Sequence, residues 1–138
     1  MGSILIVEDD RIYARTTANW LVRNSLDTRY VLSVDAAKTF LIENEVDLVL
    51  SDFRLGEENG VELLEWMKKE GYHVPFFIMT GYADIPGAVE AVKKGAENYL
   101  PKPVQTEKVL GIIQEALNRR KRGRNIGQTY YVGKSSLA

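Results

Sequence analysis

The sequence predicts an open α/β sandwich: a parallel sheet of five strands covered by helices on both faces. Three observations predict it: five short runs rich in Val, Ile and Leu, longer stretches of helical spacing between them, and capping or breaking residues at the junctions. Strands that read as continuous apolar runs are buried on both sides. That is the condition of a parallel sheet wrapped by right-handed crossovers.

The elements follow in order. "SILIV" (3 to 7) is the first strand, and Ile12, Thr16, Trp20 and Leu21 mark the apolar face of the helix after it. "YVLSV" (30 to 34) is the second, followed by a helix that Asp35 precedes and that carries Ala37, Phe40 and Leu41. "DLVLS" (47 to 51) leads to a helix with Val61, Leu64 and Met67 on one side, stopped at Gly71. "VPFFIM" (74 to 79) leads to a helix opened by Asp84 with Pro86, striped by Ala88, Val92 and Ala96 and stopped at Gly95. "NYL" (98 to 100) is the last strand; Thr106 caps the closing helix, whose stripe is Val109, Ile113 and Leu117. All five stripes are core.

The chain has 138 residues, 45% hydrophobic and 27% charged, with a formal net charge of -1, enough for one core of ordinary domain size. The longest apolar runs are a handful of residues, and Met1 is followed by Gly2 and Ser3, so neither a membrane span nor a signal peptide is read and a cytoplasmic location is expected. Zero cysteines exclude disulfides, thiolate metal sites and cysteine nucleophiles. The single histidine, His73, lies in a turn beside Gly71 without the partners that a histidine metal site or triad needs.

In open parallel sheets ligands bind beyond the carboxyl ends of the strands. After the first strand come Glu8, Asp9 and Asp10; after the third, Asp52; after the fourth, Thr80 with Gly81; after the fifth, Lys102 in "LPKP". Crowded carboxylates raise one another's pKa unless a cation offsets the repulsion, and an all-oxygen cluster suits Mg²⁺. A metal held by two acids leaves positions for phosphate oxygens, the lysine adds a second positive charge, and the threonine adds a hydroxyl donor. One carboxylate can then attack phosphorus to form an acyl phosphate. Asp52 is the best candidate because it ends the central strand with no acid beside it. Asp10 reads as the cap of the first helix, and Gly81 as a position whose missing side chain lets phosphate approach.

These residues carry a resemblance. Over roughly residues 3 to 120 the sequence resembles the receiver (CheY-like) domain of bacterial two-component response regulators. The matching elements are Glu8 and Asp9 after "ILIV", "DLVLSDFRL" around Asp52, "MTGYAD" around Thr80, and "GAENYLPKPV" carrying Tyr99 and Lys102. The resemblance implies a flavodoxin-like (βα)5 three-layer sandwich with strand order 2-1-3-4-5. It implies a phosphoacceptor switch rather than an enzyme, in which Asp52 takes a phosphoryl group from the phosphohistidine of a sensor histidine kinase. Asp9, Asp52 and the backbone carbonyl of Arg54 would bind Mg²⁺, or Mn²⁺ in its place, with Glu8 acting through bound water. Lys102 would pair with Asp52 or its phosphate, and Thr80 would hydrogen-bond the phosphoryl oxygen. Tyr99 would turn inward as Thr80 moves, altering the surface of the fourth helix, fifth strand and fifth helix, through which a homodimer could form; Ile112 and the exposed side of the last helix offer an interface. The Lys102–Pro103 bond resembles one that is often cis.

The sequence departs from the family in places. Gly56 stands where many receivers have proline, Arg54 replaces a small or apolar residue, and Tyr82 sits two positions after Thr80; Arg54 and Tyr82 should both overhang the pocket. "RRKRGR" (119 to 124) reads as a solvated helix end running into a linker, in preference to a DNA-binding patch. The expected division is a receiver over 1–120 and a basic linker over 121–138 that leads toward an output domain beyond residue 138. Gly133, Lys134 and Ser135 suggest a phosphate-binding loop, but Gln128 stands where that motif requires glycine. The tail and "GAVEAVKKGAENYLPKP" more nearly resemble NtrC-like sigma-54 activators, in which an ATPase domain follows the receiver and controls transcription. Two enzyme classes fit less well. A haloacid dehalogenase-type phosphatase needs an aspartate where Arg54 stands, and a nucleotide-binding module needs a glycine-rich first turn. The remaining alternative is a receiver-like interaction module that is not phosphorylated.

Overall fold

The computed structural model describes residues 3–133. Five strands form one parallel sheet: β1 (Ser3–Val7), β2 (Asp27–Val31), β3 (Leu48–Asp52), β4 (Phe76–Thr80) and β5 (Asn98–Pro101), in the order β2-β1-β3-β4-β5. Five helices alternate with them: α1 (Arg11–Arg23), α2 (Val34–Glu43), α3 (Gly60–Lys69), α4 (Ile85–Lys93) and α5 (Glu107–Gly133). This is the expected topology.

Side chains of a strand alternate between faces, and that alternation builds two cores. Leu5, Val7, Val49, Phe76 and Ile78 face α2, α3 and α4, packing with Val34, Leu41, Leu63, Met67 and Ala88. Ile4, Ile6, Leu48, Leu50, Phe77 and Met79 face α1 and α5, packing with Leu21, Val109, Ile113 and Leu117. The central strands β3 and β4 are buried at every position, which is why they read as unbroken apolar runs.

The structure corrects several details. The second strand lies at Asp27–Val31, three residues earlier than expected, because Val34 already belongs to α2 and Ser33 caps that helix through Ala36 N–H at 3.1 Å. Asp35 sits in the first turn of α2 and is not its cap. On an edge strand such as β2, where Thr28 is buried between exposed Asp27 and Arg29, the apolar signal is weak and merges with that of Val34 in α2. The buried face of α1 is Ala14, Thr17, Ala18 and Leu21; Ile12 and Thr16 point to solvent, so the small residues meet the sheet. Asp10 caps α1 as expected, accepting from Tyr13 N–H at 3.1 Å. The stops after α3 and α4 fall at Gly71 and Gly95, both at positive φ.

Two small elements were not anticipated. An antiparallel ladder pairs Arg54–Leu55 with Glu58–Asn59, and a single 3-10 turn covers Tyr82–Asp84. Helix α5 continues without a break through the basic run expected to open a linker, past Gly123 and Gly127 to Gly133. The motif residues Lys134 and Ser135 lie outside the described residues.

Candidate functional site

The strand order places the carboxyl ends of β1, β3 and β4 side by side, with β5 next to β4. Topology alone therefore gathers Glu8, Asp9, Asp52, Thr80 and Lys102 at one rim. Lys102 reaches the centre from a loop tied to β4 by its own N–H, which donates to the Thr80 carbonyl at 2.9 Å.

The Lys102 ammonium lies 2.8 Å from Glu8 Oε1 and 3.2 Å from Asp52 Oδ2. Below it, 4.6 Å away, is the ring of Tyr13, whose hydroxyl accepts from Val104 N–H at 3.1 Å. Glu8 is 1% exposed and its other oxygen accepts from Asp10 N–H at 3.1 Å. Burial, reinforced by the neighbouring Asp52 charge and only partly offset by Lys102, pushes the Glu8 carboxyl up to about 7. Burial also opposes charge on Lys102, but its hydrogen bond to Glu8 and the Asp52 charge outweigh it, so the ammonium is held above its ordinary range.

Glu8, Asp9 and Asp52 each present one oxygen, and the three oxygens lie within 4.8 Å of one another. Such a set of hard oxygen donors, with one acid exposed and two buried, fits a small divalent cation. Asp9 is oriented from across the site: its Oδ2 accepts from Gly56 N–H at 3.0 Å. Gly56 has φ +67°, a conformation that glycine adopts freely and that proline, with φ fixed at about -65°, cannot.

Thr80 is buried, and its hydroxyl donates to the Gly81 carbonyl at 3.0 Å, along the rim of the site. Tyr99 is partly buried against the core shared with α2, α3 and α4. The Lys102–Pro103 bond is cis. Of the two residues expected to overhang the pocket, Tyr82 is 95% exposed, while Arg54 is bound to Asp84: Nε lies 2.9 Å from both carboxylate oxygens and Nη2 lies 2.8 Å from Oδ1. Sequence reading missed three partners: Tyr13 under Lys102, Gly56 N–H on Asp9, and Asp84, read only as a helix opener. A cavity of about 560 Å³, lined by Met67, Tyr72, Phe76 and Arg120 among others, opens between α3 and α5 at the other end of the sheet, away from the acids.

Comparison with known proteins gives consistent matches. The family model described as response regulator receiver domain matches residues 4–114. A DNA-binding transcriptional regulator NtrC from Rhizobium meliloti is 33% identical over 122 residues, covering 88% of this chain and 25% of the relative. The transcriptional regulatory protein FixJ of Bradyrhizobium diazoefficiens is 34% identical over 121 residues, 86% of this chain and 58% of that one. Among solved structures, a response regulator receiver domain protein from Clostridium thermocellum superposes with a TM-score of 0.81 at 30% identity, covering 88% of this chain and 98% of the other. The chain thus spans about a quarter of the length of the NtrC relative and somewhat more than half of FixJ.

Proposed function

The chain belongs to the response regulator receiver family, and from that membership we infer that Asp52 is the phosphoacceptor of a two-component signalling switch. The observation that carries the assignment is the setting of Asp52: it ends β3, beside an ammonium at 3.2 Å and within 4.8 Å of the oxygens of two further acids.

A sensor histidine kinase is the proposed donor. An Asp52 oxygen attacks phosphorus, the P–N bond to the donor histidine breaks, and the phosphoryl group remains on the carboxylate. Lys102 offsets the charge of Asp52 and of its phosphate. Asp9, Asp52 and the Arg54 carbonyl would hold Mg²⁺ directly, with Glu8 acting through water. When bound, the ion neutralises charge on the transferring group. Thr80 then leaves the Gly81 carbonyl to donate to a phosphoryl oxygen, and Tyr99 follows it inward, remodelling the face of α4, β5 and α5 where a second copy or another partner would dock. The chain promotes only its own phosphorylation and dephosphorylation.

The output is proposed to be transcriptional, through a domain beyond residue 138 that the receiver over 1–120 controls, as the length and names of the NtrC and FixJ relatives suggest. A cytoplasmic site of action is proposed with it; no helix among the described residues is long and apolar enough to cross a membrane.

Incubation with acetyl phosphate and Mg²⁺, followed by intact mass, tests the assignment. One added phosphoryl group is expected on the natural sequence and none on Asp52→Ala. No addition to the natural sequence, or addition that survives the substitution, overturns it.

A further inference from the structure

Arg54 stands two residues beyond Asp52 and Asp84 four residues beyond Thr80, so their ion pair spans the two loops that flank the phosphoryl pocket. The arginine end is fixed. Its backbone pairs with Asn59 in the short ladder, and Gly60 N–H closes the loop onto the Phe53 carbonyl at 2.9 Å.

The aspartate end is less settled. Asp84 occupies the N-cap position of α4, yet its side chain makes no hydrogen bond to that helix. Its backbone, at φ -105° and ψ 6°, is outside the extended conformation of a capping residue. Pro86 follows within the first turn and has no N–H to offer, which leaves Gly87 N–H as the donor a capping carboxylate would take. Asp84 thus has two tasks open to it, holding Arg54 or capping α4, and with its present backbone angles it performs only the first.

We propose that Asp84 restrains Arg54 in the unphosphorylated protein, and that a phosphoryl group on Asp52 draws the guanidinium away, freeing Asp84 to cap α4 and reshape the Tyr82–Asp84 turn. The proposal rests on Asp52 being the phosphoacceptor. The pair is open to solvent on its arginine side, where the side chain is 72% exposed against 14% for Asp84, and an ion pair screened in this way is weak enough to exchange. An acyl phosphate offers more charge and more acceptor oxygens than a carboxylate, and the planar fork of arginine suits it. Arg54 already feels the charge of Asp52, which adds to the dominant effect of Asp84 in holding its proton. Because capping requires Asp84 to change its backbone angles, the exchange moves the segment joining Thr80 to α4. Asp84 is a positioning residue in this scheme, acting through Arg54.

Decay of the phosphorylated form, made with acetyl phosphate and Mg²⁺, is followed by intact mass in the natural sequence, Asp84→Asn, Arg54→Gln and the double variant. Asparagine keeps the capping ability and loses the charge that holds Arg54. Asp84→Asn is expected to decay about threefold more slowly, Arg54→Gln faster than the natural sequence, and the double variant like Arg54→Gln alone. Decay of Asp84→Asn at the natural rate, or slowing that persists without Arg54, overturns the exchange. Amide exchange at Gly87 is the second readout: it slows on phosphorylation if Asp84 becomes a cap, and an unchanged rate overturns that half. If the natural sequence takes no phosphoryl group, the phosphoacceptor assignment falls and the exchange with it. If it does and the variants behave alike, only the exchange falls.

Discussion

Phe53, the residue after Asp52, fills the space that Gly87 of α4 leaves open: a Cβ built on Gly87 would lie 2.3 Å from Phe53 Cζ and 2.7 Å from Cε1. The ring joins the chain segment beside the site to α4, alongside the Arg54–Asp84 ion pair at the start of that helix.

Gly87→Ala puts two effects in opposition. Alanine favours the helix by about 1 kcal/mol, whereas overpacking costs about 1 to 3 kcal/mol. Because the ring meets the new methyl group with three atoms within 3.0 Å, the clash is expected to win, with a net loss of about 1 kcal/mol by urea denaturation. Phe53→Ala in the same background should recover part of that loss. Strictly additive losses would show that the two side chains are not coupled.

The Glu8 carboxyl predicts a pH dependence. Its pKa is raised in the fold, so the folded protein favours the neutral form; this contribution is fully present below the ordinary value of 4.5 and is lost as pH rises through about 7. The loss is expected to reach at most about 3 kcal/mol. Added Mg²⁺ requires the ionised acids and should therefore restore more stability at pH 8 than at pH 5.5. Urea denaturation across that range, with and without MgCl₂, checks both points, and Glu8→Gln should flatten the curve. A curve that keeps its slope in Glu8→Gln would assign the dependence to other groups.

Lys102→Met keeps the apolar stem over Tyr13 and removes the cation between Glu8 and Asp52. The raised pKa of Lys102 means that its own contribution persists across neutral pH and fades only above the ordinary lysine value of 10.5. Its removal should cost about 2 kcal/mol at pH 8, above the Glu8 value of about 7, and clearly less at pH 5.5, where Glu8 is neutral. Equal losses at the two pH values would show that the lysine acts by packing alone.

At the opposite end of the sheet Arg120 donates to Asp47 at 3.1 Å and to the His73 carbonyl at 2.9 Å, while Asp47 also accepts from Ser3 N–H at 3.0 Å. The adjacent Arg119 binds Glu97 at 2.9 Å and Glu115 at 3.0 Å. Two cations of the basic run 119 to 124 are therefore committed to acids within the domain. Arg120→Ala is expected to cost about 1 to 2 kcal/mol and to speed amide exchange along α5 around residue 120. Exchange unchanged there would mean that packing of Ile113 and Leu117 alone seats the helix.

What the sequence reveals depends on where each residue sits. The central strands announce themselves because every residue from Leu48 to Asp52 and from Phe76 to Thr80 is buried, whereas edge strand β2 alternates and its apolar signal merges with the start of α2. Ile12 misleads because apolar character is read as burial, although here Ala14 and Ala18 let α1 lie close to the sheet and Ile12 remains 70% exposed. At the site, the groups at strand ends can be assembled on paper, since topology brings those ends together. The contacts of Tyr13 with Lys102, Gly56 with Asp9 and Arg54 with Asp84 depend on how far side chains reach across loops, and no periodicity encodes that. A cap such as Ser33 is a local signal, but Asp35 two residues on gives the same one, and only the backbone distinguishes them.

The unbroken run of α5 has a mechanical consequence. Arg120 pins the helix to the floor of the sheet, and thirteen further residues extend it to Gly133, a rod of about 20 Å at 1.5 Å per residue. A tilt of roughly 5° about that pin sweeps the far end through about 2 Å. Geometry thus makes α5 a long arm, held at the end of the sheet farthest from Asp52 and running on from there to Gly133.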